Sequence, residues 1–218
     1  MRLFLTMLTF FFCVGCNHAQ TKLEKNDSSK QPKKMNTNMD KQYDKATFGG
    51  GCYWCMEAFF QRLEGVESVE SGFSGGQVKN PTYREVCTGA TGLAEVIHIT
   101  FDSAKISFTD ILKVFFTMHD PTTLNRQGND VGTQYRSVVF YHNDTQKSVT
   151  EEVIAALNKA QAYPNPIVTE VAKFDVFYKA DEYHQNYYND NKSQPYCAYV
   201  IQPKIEKFEK VFKDRLKH

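Results

Sequence analysis

The chain has 218 residues, which gives room for one or two domains with a sizeable buried core. It therefore does not need disulfides to fold, and a small disulfide-stapled scaffold is excluded. Hydrophobic residues make up 41%, aromatic residues 14% and charged residues 23% of the chain, and these ordinary values exclude collagen-like and wholly disordered proteins.

The formal net charge of +1 combines a basic N-terminal part of the chain with a mildly acidic remainder. Residues 17–45 hold seven Lys against four acidic residues, whereas residues 46–218 hold 18 basic against 21 acidic residues. The larger part is mildly acidic and has no basic run with interleaved aromatic residues. We therefore expect that it does not bind nucleic acid.

The first 16 residues have the pattern of a secretory signal. Met1 and Arg2 are followed by an apolar run of 13 residues, which is too short to span a membrane. Gly15 directly precedes Cys16, as in bacterial lipoprotein signals, although Cys13 stands where such signals usually carry Leu. The pattern predicts export to the cell envelope and membrane anchoring through a lipidated Cys16. A soluble exported protein and a buried apolar segment remain open.

Residues 17–45 are rich in Lys, Asn, Ser, Gln, Asp and Thr and have almost no large apolar side chains. Such a segment cannot bury enough surface to offset the entropy lost on ordering. We predict a flexible linker with a mean reach of roughly 30 Å. It joins the signal to one folded domain at residues 46–218.

That domain alternates patterns of strands and helices. Met56, Phe59, Phe60 and Leu63, for example, have the spacing of a helix packed on one face. The first six predicted elements are strand, helix, strand, strand, helix and strand, at 46–51, 53–64, 66–74, 94–101, 108–118 and 136–141. A helix at 149–160, a strand at 168–174 and a terminal helix at 205–216 follow. This order predicts an α+β fold, a ferredoxin-like split βαβ two-layer sandwich with extra helices and an extra strand.

Cys52 stands where the first strand and a run of glycines give way to a helix. Free N–H groups and the helix dipole stabilise an anion at such a position, so we expect a lowered thiol pKa and a nucleophilic sulfur. The alternative is a buried, inert cysteine that happens to cap the helix.

Cys55 completes a Cys-x-x-Cys motif, which is compatible with redox exchange, a half zinc site or haem attachment. Haem attachment needs a His where Met56 stands. A zinc site needs a second close pair, but Cys87 and Cys197 are isolated in the sequence. We therefore expect no metal and no cofactor, and thiol–disulfide exchange stays open.

Tyr53 and Trp54 lie between the two cysteines, whereas thioredoxin-like motifs carry the aromatic residue outside the pair. Gly-Cys-Tyr-Trp-Cys-Met-Glu-Ala closely resembles the Gly-Cys-Phe-Trp motif of the A-type peptide methionine sulfoxide reductases, the MsrA family. Residues 80–96, 119–137 and 182–187 resemble further signatures of that family, in the same order. Leu93, where the family often has His, and Tyr53, where it usually has Phe, depart from the pattern without removing a catalytic group.

The resemblance implies reduction of methionine (S)-sulfoxide, in oxidised proteins and free, by a thiol. The Cys52 thiolate attacks the sulfoxide sulfur, and Glu95, kept protonated by burial, supplies the acid. The products are methionine and a sulfenic acid on Cys52. The resemblance also implies that Tyr83 and Tyr135 hydrogen-bond the oxygen and that Tyr53 and Trp54 contact the methyl group. Asp130 is implied to orient the substrate backbone or a water.

A second thiol must then resolve the sulfenic acid. Cys55 is slightly favoured because residues three apart on a helix are about 5–6 Å from each other. Cys197 is the alternative, although no glycine-rich tail of the kind found in the family surrounds it. A thioredoxin-like reductant would reopen the disulfide. We interpret Cys87 as buried and structural, and we leave the role of His184 open.

Two other functions remain compatible with the sequence. One is a thiol–disulfide oxidoreductase that uses Cys52 and Cys55. The other is a non-catalytic surface lipoprotein that keeps the fold for binding.

Overall fold

A mixed β-sheet organises residues 42–217, the part of the chain that the computed structural model describes. The eight strands are β1 (Tyr43–Gly50), β2 (Val66–Ser74), β3 (Ala94–Asp102), β4 (Arg126–Gln127), β5 (Asp130–Val131), β6 (Ser137–Tyr141), β7 (Glu170–Lys173) and β8 (Tyr178–Lys179). Six of them form one sheet in the order β7-β6-β1-β3-β2-β8, and β4 and β5 form a separate hairpin.

Six α-helices accompany the strands. They are α1 (Tyr53–Phe60), α2 (Tyr83–Cys87), α3 (Phe108–Met118), α4 (Asp144–Lys159), α5 (Tyr187–Asp190) and α6 (Gln202–Val211). Local sequence explains several helix starts, because side-chain oxygens accept hydrogen bonds from otherwise unpaired N–H groups. Thr82 and Ser107 begin α2 and α3 in capping boxes, and Asn143 caps α4.

The four central strands confirm the predicted ferredoxin-like fold. Strands β6, β1, β3 and β2 are neighbours in that order and pair antiparallel throughout. This is the arrangement of a split βαβ core, in which each helix crosses over one intervening strand. Strand β7 extends one edge in parallel with β6, and β8 extends the other edge antiparallel to β2.

Both faces of β3 are covered, because side chains alternate between the faces of a strand. On one face, Ile97, Ile99 and Phe101 belong to the main core, together with residues of α1 and α3. On the other face, Ala94 and Val96 belong to a smaller apolar cluster. Glu95 lies on the same face of β3 as Ile97 and Ile99, so the strand directs its carboxyl towards the helical layer.

Strand β1 begins at Tyr43, three residues before the domain boundary that composition suggests. Residues 43–45 pair with β3 opposite Asp102, Phe101 and Thr100. Main-chain pairing does not require apolar side chains, so composition alone does not detect it. The predicted signal, Cys16 and the predicted linker up to residue 41 lie outside the described residues. No helix in the described part is long and apolar enough to cross a membrane.

The largest boundary difference lies at the C-terminus. The periodicity predicts a helix at 205–216, but the helical segment begins earlier, with a π-helical turn at Cys197–Ile201 that leads directly into α6. Helix α1 is shorter than predicted and ends at Phe60, because the chain turns there and Leu63 forms a β-bridge with Leu216.

Candidate active site

Cys52 lies at the junction between β1 and α1. Gly51 precedes it with φ of 93°, and a Cβ there would lie 2.6 Å from the Gln127 side chain, so only glycine fits this turn. Cys52 is the N-cap residue of α1, with φ −62° and ψ 124°, and 8% of it is exposed. Its thiol is therefore held at the buried start of α1.

The pKa of the Cys52 thiol is raised, so the expected lowering by the helix start is wrong. Burial is the largest cause, followed by the hydrogen bond to Cys55, and the charge of Glu95 adds to them. Only the Trp54 N–H acts in the opposite direction. The Tyr53 N–H, which would also stabilise a thiolate, instead donates to Glu95. Burial outweighs the single remaining backbone donor.

Glu95 faces the start of α1 from strand β3. Its Oε2 accepts a hydrogen bond of 3.2 Å from the Tyr53 N–H, and 2% of the residue is exposed. Burial raises the pKa of this carboxyl to about 8. Glu95 is thus protonated at neutral pH, as the resemblance implies, and it accepts its hydrogen bond from the residue that directly follows Cys52.

Cys55 is the sulfur that carries negative charge most readily. The neighbouring Cys52 thiol is the largest cause of its lowered pKa, although burial opposes the effect. Its Sγ lies 4.0 Å from the Tyr196 hydroxyl and 3.9 Å from Lys204 Nζ. The ammonium group lowers the pKa further.

An aromatic cluster stands beside the two cysteines. Trp54 stacks on Tyr187 with ring centroids 3.7 Å apart and planes 8° from parallel, and Tyr196 meets Trp54 edge to face. Tyr53 is buried, 1% exposed, and packs against Phe73. Trp54, being only partly buried, is better placed than Tyr53 to contact a ligand from outside.

His184 lies among the rings of Tyr53, Trp54 and Tyr83, with centroids 5.5, 5.7 and 4.4 Å away. Neither ring nitrogen has a hydrogen-bond partner within the described residues. Burial lowers its pKa, so the imidazole is neutral at neutral pH. His184 thus packs against these three rings of the aromatic cluster.

Three polar residues predicted for the site come from two segments of the chain and converge on it. Tyr83 begins α2, and Tyr135 ends a 3₁₀ turn at Thr133–Tyr135. Burial is the largest cause that raises both tyrosine pKa values, and the nearby Glu95 raises them further. Asp130, on β5, accepts a hydrogen bond of 2.9 Å from the Tyr196 hydroxyl.

The two remaining cysteines differ from each other. Cys197 is fully buried, 0% exposed, and burial raises its pKa. Cys87 is exposed, so the interpretation of Cys87 as buried is wrong. It is the last residue of the short, largely exposed helix α2, where only Val86 turns into the core. Within residues 42–217 no group of three His, Cys, Asp or Glu side chains is arranged to hold a metal ion.

Four site residues were not predicted from the sequence: Tyr187, Tyr196, Lys204 and Glu57. Glu57 is buried on α1, and its Oε1 accepts a hydrogen bond of 2.9 Å from the Asn186 N–H. Burial raises its pKa to about 7. This contact ties α1 to the segment that carries Tyr187. The sequence held a signal for two of the four: Tyr187 lies three residues after His184, and Tyr196 directly precedes Cys197.

Comparison with known proteins identifies the family to which the chain belongs. The family model described as "Peptide methionine sulfoxide reductase" matches residues 44–216, which is most of the chain and includes the whole site. The chain belongs to this family. The reductase is therefore an enzyme that reduces methionine sulfoxide with thiols, in the peptide-methionine (S)-S-oxide class.

Relatives and solved structures agree with this membership. The reductase is 55% identical to the peptide methionine sulfoxide reductase MsrA of Saccharolobus solfataricus over 172 residues, 79% of this chain and 96% of the relative. It is 54% identical to that of Trichodesmium erythraeum over 173 residues, 79% and 98% of the two chains. Among structures, reduced Mxr1 from Saccharomyces cerevisiae matches with a TM-score of 0.66 and 30% identity, over 72% of this chain and 90% of the other. Methionine sulfoxide reductase A of Corynebacterium diphtheriae matches with 0.62 and 33%, over 68% and 75%.

Proposed function

We propose that Cys52 is the nucleophile of the reductase and that Glu95 is its acid. The observation that carries this assignment is the shared start of α1, where Cys52 is the N-cap and the next N–H holds Glu95 at 3.2 Å. A sulfoxide oxygen leaves its sulfur only when protonated, and the buried carboxyl has the proton at neutral pH. In net terms the oxygen passes to Cys52, methionine is released, and the Cys52 thiol becomes a sulfenic acid.

The substrate methyl group is proposed to lie against Trp54, whose ring is fixed by stacking on Tyr187. Tyr53 completes the apolar wall from the buried side. Tyr83 and Tyr135 supply hydroxyl groups for the oxygen. Because their raised pKa values keep these hydroxyls protonated, both can donate hydrogen bonds. Asp130, which is held by a tyrosine hydroxyl, orients the substrate backbone or a water.

Cys55 is proposed to resolve the sulfenic acid. An N-cap side chain normally reaches the third residue of its helix, as in a capping box, and Cys52 and Cys55 occupy these two positions. Cys52 is also the largest cause of the lowered pKa of Cys55, so the two side chains are close neighbours at the start of α1. Cys197 is the less favourable alternative, since it is fully buried in the core.

The disulfide then needs an external dithiol, and we propose a protein of the thioredoxin type. The Cys55 side approaches the surface through Lys204, which lines an open groove together with Asp120, Gln127 and Lys207. Thiol–disulfide exchange requires that an attacking thiolate reach one of the two sulfurs, and Lys204 borders both Cys55 and this groove.

Replacing each candidate resolver tests the assignment. We expect Cys55→Ser to release one equivalent of methionine per enzyme at the normal rate and then to stop, because the sulfenic acid has no partner. Cycling with thioredoxin should fall at least about tenfold. Cys197→Ser, the matched control, should cycle normally. The measurements are quenched-flow methionine release and mass spectrometry of the trapped sulfenic acid. An intramolecular disulfide in Cys55→Ser would contradict the assignment.

Export and membrane anchoring are proposed from the sequence pattern of residues 1–16, with Cys16 as the acylated residue. Expressed in a bacterium, the full chain should be found in the membrane fraction and carry fatty acid at Cys16. Cys16→Ala should abolish acylation, whereas Cys13→Ala should keep it. Palmitate labelling followed by mass spectrometry of the mature N-terminus checks this. An unlabelled, soluble full chain would refute the anchor.

A further inference from the structure

Lys204 is an unexpected neighbour of the reaction. Its Nζ lies 3.9 Å from Cys55 Sγ, and the side chain is half-buried. Within the described part of the chain, this ammonium forms no ion pair with a carboxylate. Its most direct contact is therefore a sulfur atom, which matches a cation only when it is ionised.

The Tyr196 hydroxyl does not compete for the same role. It has a single proton, and it donates that proton to Asp130 Oδ2 at 2.9 Å. At 4.0 Å from Cys55 Sγ, the oxygen has no second proton to give to the sulfur. A lysine ammonium carries three protons and a full charge, so Lys204 is the lasting donor at Cys55.

A π-helical turn brings both residues to the same sulfur. Tyr196 and Lys204 are eight residues apart, and on a regular α-helix this spacing would separate their directions by about 80°. The wider turn at Cys197–Ile201, between them, takes up the difference. Such turns recur at functional sites because they shift the register of one helical face against the rest. The π turn thus allows Tyr196 and Lys204 to approach the same sulfur, that of Cys55.

We infer that Lys204 is a further catalytic residue, which holds Cys55 as a thiolate for the resolving step. The inference rests on the proposed function, in which Cys55 is the resolver. In this step the Cys55 thiolate attacks the Cys52 sulfur, the S–S bond forms and the S–O bond breaks. The oxygen leaves with its hydrogen, takes one proton from solvent or a neighbouring acid, and departs as water. The Cys55 sulfur is oxidised and the sulfenic sulfur is reduced.

The contact matters most after the first half of the reaction. The Cys52 thiol is the largest cause of the lowered pKa of Cys55. Once Cys52 carries the oxygen, it no longer presents a thiol S–H to Cys55. Lys204 acts independently of that thiol, because it lies on a separate helix, α6. The titratable groups that face Cys55 are Lys204 and, with the opposite effect, Asp130. Cys55 also raises the pKa values of Glu95, Tyr196 and Cys197, so these groups face it as well.

The test compares Lys204→Met, Lys204→Arg and Lys207→Met in the full chain. Lys207 lines the same groove and is exposed, so its substitution removes the same charge away from the sulfur. After one pulse of sulfoxide, disulfide formation is followed by quenched flow and alkylation at several pH values. We expect Lys204→Met to form the disulfide about tenfold more slowly at neutral pH and to move the midpoint of the pH profile upward by about one unit. Methionine release in the pulse should not change.

Rescue and controls separate the possible explanations. Lys204→Arg should restore most of the rate and the midpoint, and Lys207→Met should form the disulfide like the unmodified enzyme, because this single pulse does not involve thioredoxin. A structural defect would slow methionine release as well and would leave the midpoint in place. An unchanged rate and midpoint in Lys204→Met would overturn the inference while leaving Cys55 as the resolver. A normal disulfide in Cys55→Ser would instead overturn the proposed function.

Discussion

Replacing Cys52 by Ser is expected to abolish sulfoxide reduction, even with dithiothreitol as the electron source. A hydroxyl is a far weaker nucleophile than a thiolate and cannot take the oxygen to form a sulfenic acid, so the rate should fall about 10³-fold or more. The measurement is methionine formation from a peptide sulfoxide. Because dithiothreitol bypasses the resolving thiol, this loss isolates the first chemical step.

The matched control is Cys87→Ser. Cys87 is exposed at the end of α2, so its substitution removes one sulfur without opening a cavity in the core. We expect close to full activity from this variant. Multiple turnovers by Cys52→Ser, or a comparable loss in Cys87→Ser, would each be incompatible with a single nucleophile at Cys52.

Replacing Glu95 by Gln is the second large effect. Removing a general acid typically costs about 10²–10⁴ in rate, and the amide cannot give up a proton to the leaving oxygen. The pKa of Glu95 is raised to about 8, so the acid form is present below pH 8 and is lost as the pH rises through that value. The unmodified enzyme should therefore lose activity on the alkaline side of pH 8.

This pH dependence distinguishes an acid from a merely structural carboxyl. Single-turnover methionine release should fall above pH 8 in the unmodified enzyme, and this descending limb should be absent from the slow residual rate of Glu95→Gln. Glu67→Gln, on the exposed face of β2, should keep both the rate and the limb. If Glu95→Gln retained the limb, the titrating acid would have to be another group.

The fold and the central reactive pair were accessible from the sequence for different reasons. The strands and helices follow from periodicity, since buried positions such as those of α3 recur at helical spacing. Cys52 and Glu95 lie in short segments that resemble family signatures. Their meeting, however, depends on the register between β1 and β3, which brings the end of one strand next to the start of the other.

The surroundings of Cys55 were not accessible in the same way. Tyr196 and Lys204 lie 141 and 149 residues further along the chain, and they meet the sulfur only because a π turn adjusts their directions. The direction of the Cys52 pKa shift was also predicted wrongly, because a sequence motif reveals the helix start but not the burial of the thiol. Which thiol is ionised is thus a property of packing.

The stacking of Trp54 on Tyr187 gives the reductase an internal optical reporter. Trp54 is the only tryptophan in the sequence, so indole fluorescence originates entirely from this position. Its ring stacks on Tyr187, whose ring centroid is 3.7 Å away, and Trp54 lies on the same first turn as Cys52 and Cys55. Substrate binding, sulfenic acid formation and disulfide closure would each change the emission of this one residue. The catalytic cycle can therefore be followed in real time, without any label.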